Sequence, residues 1–210
     1  HVQVLCVDAR SGQLGDGTTQ SSAIPRQVIG LGSGVRSVAV GSSHSCAVLI
    51  SGAVQCWGSN SAGQLGITGA SNTTSPVAVP ALTTGVSSLA AYGNSNCAID
   101  GVNQVRCWGS NLAWHLGTAE TTDSPSPRIA AGIAYATSVV MGAAHVCVMR
   151  GVGAISCWGS GKLGQLGNNG SSGSRTPVAV ASPPSDAVEL AAGTNHTCAD
   201  QKQTREKKMQ

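Results

Sequence analysis

The sequence predicts an all-β fold, a β-propeller in which a four-stranded unit of about 51 residues recurs along nearly the whole chain. Three observations carry this reading. Gly supplies 28 of 210 residues, Phe none, and only 10% are charged, a composition short of helix formers and rich in turn formers. QCWGSN at 55–60 returns as RCWGSN at 106–111 and as SCWGSG at 156–161. GQLG stands at 12–15, 63–66 and 164–167, with WHLG at 114–117 in the same phase.

The unit that starts near residue 31 shows the elements most plainly. VRSVAV at 35–40 has the β-branched alternation of a strand, and GSSH turns the chain. Ser45 to Leu49 reads as the second strand and Ala53 to Gly58 as the third. SPVAV at 75–79 reads as a fourth, on the edge of the sheet. Clusters of Gly, Ser and Asn bound each run. Four short antiparallel strands per unit of this length make a propeller blade. The spacing divides the chain into a partial unit at 1–30, whole units at 31–81, 82–132 and 133–182, and a partial unit at 183–200. That is about four blade equivalents.

The central hairpin can be placed by its cysteines. Cys46, Cys97 and Cys147 each precede by ten residues a second cysteine, Cys56, Cys107 and Cys157. The midpoints are Ser51, Val102 and Val152, and the next residues are Gly52, Asn103 and Gly153, types that tolerate positive φ. A three-residue loop with a left-handed last residue fits all three. In that register the paired cysteines lie opposite each other at non-hydrogen-bonded sites, where α-carbons approach to about 4.5 Å. One disulfide per whole blade follows, each worth roughly 2–3 kcal/mol by the loop-length rule and each implying an oxidising compartment. Buried thiols and zinc are the other readings of the same residues, although two facing cysteines supply only two ligands.

Charge narrows the function classes. Residues 1–200 hold eight Lys/Arg and eight Asp/Glu, so the net charge of +3 comes wholly from the tail QKQTREKKMQ at 201–210. A neutral body offers no cationic face for nucleic acid, and the basic tail reads as a solvated, disordered end. No apolar run approaches the roughly 18 residues of a membrane helix. The acidic residues are scattered without a shared phase, and no G-x-S-x-G elbow or nucleotide-binding P-loop occurs. The reading is therefore not an enzyme, with no cofactor and no metal.

The repeated side chains read as structure. Trp57, Trp108 and Trp158 recur in phase, as do Leu65, Leu116 and Leu166, the pattern of packing between adjacent blades. His44, His145 and His196 each precede a cysteine by two, with Ser95 in the same place in the third unit; they read as turn imidazoles rather than a metal ring. Non-repeating residues are the better functional candidates. Trp114 and His115 replace Gly63 and Gln64 of the preceding unit, and this pair is the expected contact with a partner. Asn72, Asn169 and Asn195 lie in N-x-S/T sequons, which matter only in a eukaryotic secretory pathway.

CWGSNSAGQLG, preceded by AVGSSHSCAVL, resembles the RCC1 (regulator of chromosome condensation) repeat family, and the resemblance covers residues 1 to about 200. The cysteine-bearing version is similar to the secreted bacterial branch. The resemblance implies a ring that usually has seven blades of about 50–60 residues, with binding surfaces on its two faces. It also implies activities that range from nucleotide exchange on a small GTPase to inhibition of β-lactamase and ultraviolet sensing. The ultraviolet receptors use clustered extra tryptophans that this chain lacks.

Both ends depart from the pattern. VLCVDARSGQLG has lost its CWG, and Cys6 stands in phase with Trp57. After Cys198 the repeat stops, with Lys208 where the partner cysteine is due. These departures suggest a shifted or truncated reading frame and a piece of a seven-bladed ring. The sequence thus predicts a non-catalytic, protein-binding scaffold that is extracellular, on the cell surface or periplasmic. The alternatives are a guanine-nucleotide exchange factor and, further off, an inhibitor of a secreted enzyme. Open blade edges add the expectation of self-association.

Overall fold

The computed structural model describes residues 10–69, 71–151 and 153–201. Cys6, Val152 and most of the expected basic tail, 202–210, lie outside them. Among the described residues there are fourteen strands and no helix. Strands β1 (Val35–Val40), β2 (His44–Leu49), β3 (Val54–Gly58) and β4 (Thr73–Ala78) form one antiparallel sheet in sequence order. β5 (Ser88–Tyr92), β6 (Ser95–Ile99), β7 (Val105–Gly109) and β8 (Ser124–Ile129) repeat it. So do β9 (Ala136–Met141), β10 (His145–Arg150), β11 (Ala154–Gly159) and β12 (Ser174–Ala179). A two-stranded sheet of β13 (Ala187–Ala192) and β14 (Thr197–Gln201) follows. The first strands of successive sheets, β1, β5, β9 and β13, contact one another in order, as in a propeller.

Local chemistry accounts for each blade. The hairpin closes with the Leu49 amide donating to the Ala53 carbonyl and the Gly52 amide donating back to Leu49. Gly52, Asn103 and Gly153 have φ of 81°, 59° and 77°, the left-handed residue a three-residue loop requires. Cys46 therefore faces Cys56, Cys97 faces Cys107, and Cys147 faces Cys157. All three pairs are disulfides, with α-carbons 4.1, 4.1 and 4.2 Å apart. Pro76, Pro125, Pro127 and Pro177 all fall on the fourth strand of a sheet, where a missing N–H breaks no interior ladder.

Two details differ from the sequence reading. Residues 10–34 contain no strand, although the phase predicts the latter half of a blade there; the residues in phase with its pairing strand lie outside the described ones. β14 runs to Gln201, one residue into the expected tail.

Candidate partner-binding site

The site is built on the loop that follows the third strand of each blade. After β3, the Asn60 Oδ1 accepts the Leu65 amide at 2.9 Å, and Gln64 Oε1 accepts the Ala62 amide at 2.8 Å. This fold turns the Gln64 carbonyl outward to the next blade, where the Trp108 indole N–H donates to it at 3.0 Å. Trp57 does the same to the Gln13 carbonyl at 2.9 Å, and Trp158 to the His115 carbonyl at 2.9 Å. The indoles lie so close to the last glycine of each loop that a Cβ on Gly15 or Gly117 would meet the ring at 2.7 or 2.9 Å. Leu65, Leu116 and Leu166 are buried beneath the loops. Each of these tryptophans thus fills a socket made by the preceding blade, with its one polar atom satisfied.

The loop after β7 keeps this backbone and changes three side chains, with Leu112, Trp114 and His115 in place of Ser61, Gly63 and Gln64. Trp114 has φ 63°, where Gly12, Gly63 and Gly164 have 85°, 78° and 76°. A bulky residue in the left-handed region costs about 1–2 kcal/mol relative to glycine. The Trp114 ring is half-buried and rests on Gly173, with the Arg175 guanidinium carbon 5.3 Å from a ring centroid. Leu112, 90% exposed, flanks it, and with Lys162 and Ser160 these residues line a surface recess of about 310 Å³.

His115 goes the other way. It is buried, its Nδ1 is 3.1 Å from Ser95 Oγ, and Ser95 donates to the Ser110 carbonyl at 2.7 Å. Burial holds its imidazole pKa down to about 4, with neighbouring His145 acting in the same direction. The two residues expected as one contact pair are therefore divided between surface and interior.

Two of the in-phase histidines, His44 and His145, join blades, while His196 is exposed. His44 Nε2 is 2.8 Å from Asn96 Oδ1 of the next sheet, and Asn96 Nδ2 donates to the Gln64 carbonyl. His145 Nε2 is 2.8 Å from Thr197 Oγ1. Burial lowers the pKa of both. Among the described residues no group of three His, Cys, Asp or Glu is placed to hold a metal ion, and no helix is long and apolar enough to cross a membrane. Sequence reasoning missed Leu112, Lys162 and Arg175. The signal for Arg175 was its phase, since the matching positions in the earlier blades are Thr74 and Pro125.

Comparison with known proteins agrees with this architecture. Models of the regulator of chromosome condensation (RCC1) repeat match residues 9–48, 35–64 and 153–199. Over 120 residues, 56% of this chain, it is 34% identical to the ultraviolet-B receptor UVR8 of Arabidopsis thaliana, covering 27% of that protein. It is 36% identical over 120 residues to the probable E3 ubiquitin-protein ligase HERC3 of Homo sapiens, covering 11% of it. The chain thus spans about a quarter or less of the curated relatives it matches. Yeast RCC1 (Prp20), in its complex with Kap60, superposes with a TM-score of 0.77 at 19% identity, over 90% of this chain and 47% of that one. Prp20p of Saccharomyces cerevisiae gives 0.70 at 19% identity, over 82% and 44%. The in-phase CWG and GQLG segments, the four-stranded blades and these matches have one explanation: the chain belongs to the RCC1-repeat family of β-propellers.

Proposed function

We propose that the chain is a non-catalytic scaffold that binds a protein partner through the face around Trp114, in an extracellular or periplasmic setting. The observation that carries this is Trp114 itself. A large aromatic side chain is held in a backbone conformation that the other loops assign to glycine, half-exposed, beside exposed Leu112 and the cations Arg175 and Lys162. Strain retained at a surface position points to function, and an aromatic anchor ringed by cations suits an apolar segment flanked by carboxylates. Three disulfides inside the sheets support the oxidising compartment.

The test immobilises the chain, made under oxidising conditions, and recovers proteins from extracellular fluid of the source. The expected result is a partner retained by the native chain and lost with Leu112→Ser/Trp114→Gly, the three disulfides being unchanged by peptide mapping. Retention that ignores both substitutions rules out this face. Two enzyme assays cover the narrower readings. Faster release of a fluorescent guanine nucleotide from a small GTPase would favour the exchange-factor role. Loss of β-lactamase turnover would identify the partner as a secreted enzyme.

A further inference from the structure

Four departures from the repeat in the sheet β9–β12 gather around Trp114. In the two earlier sheets a side chain clamps the loop after the third strand. Asn72 Oδ1 accepts the Asn60 amide at 2.9 Å, and Asp123 Oδ1 accepts the Asn111 amide at 2.8 Å. The matching positions in the third sheet are Gly161 and Gly173, which can form no such bond. The reason lies in the preceding blade. A Cβ on Gly173 would meet the Trp114 ring at 2.7 Å, so an aspartate there and the indole exclude each other. Gly63, in the place of Trp114 one blade earlier, abuts the Pro125 backbone instead, where a Cβ would come within 2.5 Å. In phase with Pro125 stands Arg175, its guanidinium carbon 5.3 Å from a ring centroid of Trp114. Lys162, in phase with Ser61 and Leu112, lines the same recess. Among the described residues the one ion pair joins Arg106 and Asp100, so neither Arg175 nor Lys162 has an acidic partner there. No Asp or Glu lines the recess.

We infer that this recess captures the C-terminal residue of a protein partner, an inference that rests on the binding face proposed above. The last side chain, apolar, packs between Leu112 and the Trp114 ring. The terminal carboxylate accepts paired N–H bonds from Arg175, and Lys162 adds a second positive charge. Three features select a chain end over an internal segment. The recess, about 310 Å³, is at the small end of ligand sites and suits a single residue. The cation lies over the same ring that forms the apolar wall, so the anionic and apolar groups of the occupant must be close together. In an extended segment, neighbouring side chains point to opposite faces, whereas a chain end carries both groups on one Cα. Finally, a guanidinium held on an aromatic face keeps its N–H edge for two parallel bonds, and a carboxylate matches that edge. Capture of a terminal carboxylate is a recurring mode of peptide recognition.

The experiment titrates the full chain into a fluorescein-labelled hexapeptide of glycine and serine that ends in leucine, and follows anisotropy. Saturable binding is expected with the free carboxylate. Amidation of the peptide should weaken it by about ten-fold or more, the loss expected when a charge-assisted pair is broken. Arg175→Gln, a change at an exposed residue on an edge strand, should do the same. Trp114→Gly should abolish binding. A further peptide, amidated but with aspartate before the leucine, places the charge inside the chain and should bind no better than the plain amide. Binding of that peptide as tight as that of the free acid overturns the inference in favour of an internal acidic segment. Equal binding of acid and amide, an Arg175→Gln chain that binds like the native one, or no saturation at millimolar peptide overturns it as well. The capture test above separates this failure from failure of the face: a partner still lost with Leu112→Ser/Trp114→Gly keeps the face and rejects only the chain end.

Discussion

The loop after β3 and the loop after β7 share one backbone and differ at three residues, Ser61, Gly63 and Gln64 in the first against Leu112, Trp114 and His115 in the second. Both use an asparagine Oδ1 to accept the amide five residues on, Asn60 for Leu65 and Asn111 for Leu116. Both offer a main-chain carbonyl to the tryptophan of the next blade, from Gln64 in one and His115 in the other. Because the carbonyl performs the structural task, the side chain on that residue is free to change. The first loop spends its freedom on Gly63 and on a glutamine that braces the loop. The second puts an indole on the surface and an imidazole in the core. In this pair of loops the residue that changes beside the interblade bond is one whose backbone, not side chain, holds the blades together.

What the two loops have in common gives the largest expected effects. Reduction of the three disulfides should lower stability by about 2–3 kcal/mol for each bond opened. A urea titration with and without reductant measures this, and an unchanged midpoint would show that the sheets need no covalent brace. Emptying one socket by Trp108→Ala should cost about 3–5 kcal/mol, since a buried aromatic ring and its hydrogen bond are both lost. Trp158→Ala, which empties the socket of the altered loop, should cost the same within about 1 kcal/mol if the carbonyl alone matters.

What the loops do not share should appear as pH dependence. Unfolded histidine titrates near 6.5, while His115 in the folded chain stays neutral down to about 4. The unfolded chain takes up the proton first, so this contribution is complete above pH 6.5 and is lost as the pH falls toward 4. The loss reaches on the order of 3 kcal/mol at pH 4. The depressed pKa of His44 and His145 adds in the same direction. Unfolding midpoints measured from pH 7 to 4 should fall less steeply in His115→Gln, which restores the residue of the first loop. An identical slope would remove His115 from the account.

Periodicity made most of the fold legible. A glycine or asparagine one residue past the midpoint between two cysteines was enough to place the hairpin, and hence to set the cysteines opposite each other. Recurrence of Trp57, Trp108 and Trp158 pointed to interblade packing, but their hydrogen-bond acceptor is a carbonyl, which leaves no trace in side-chain identity. The parts that broke the period were harder to read. Trp114 and His115 looked like one feature because they are adjacent in sequence, yet the left-handed turn at Trp114 sends them to opposite environments. Arg175 meets Trp114 from the next blade, 61 positions along the chain, a contact that depends on how the blades stack.

The claim beneath these comparisons is that the chain holds two kinds of tryptophan, three that seat blades and one kept for contact. Trp114→Gly tests it most directly when its thermal unfolding is set beside that of Trp108→Ala. Relief of the left-handed backbone, about 1–2 kcal/mol, should offset the lost half-buried ring and its contact with Arg175, leaving stability within about 1 kcal/mol of native. A loss of about 3 kcal/mol or more, matching Trp108→Ala, would make Trp114 another packing residue and contradict the account.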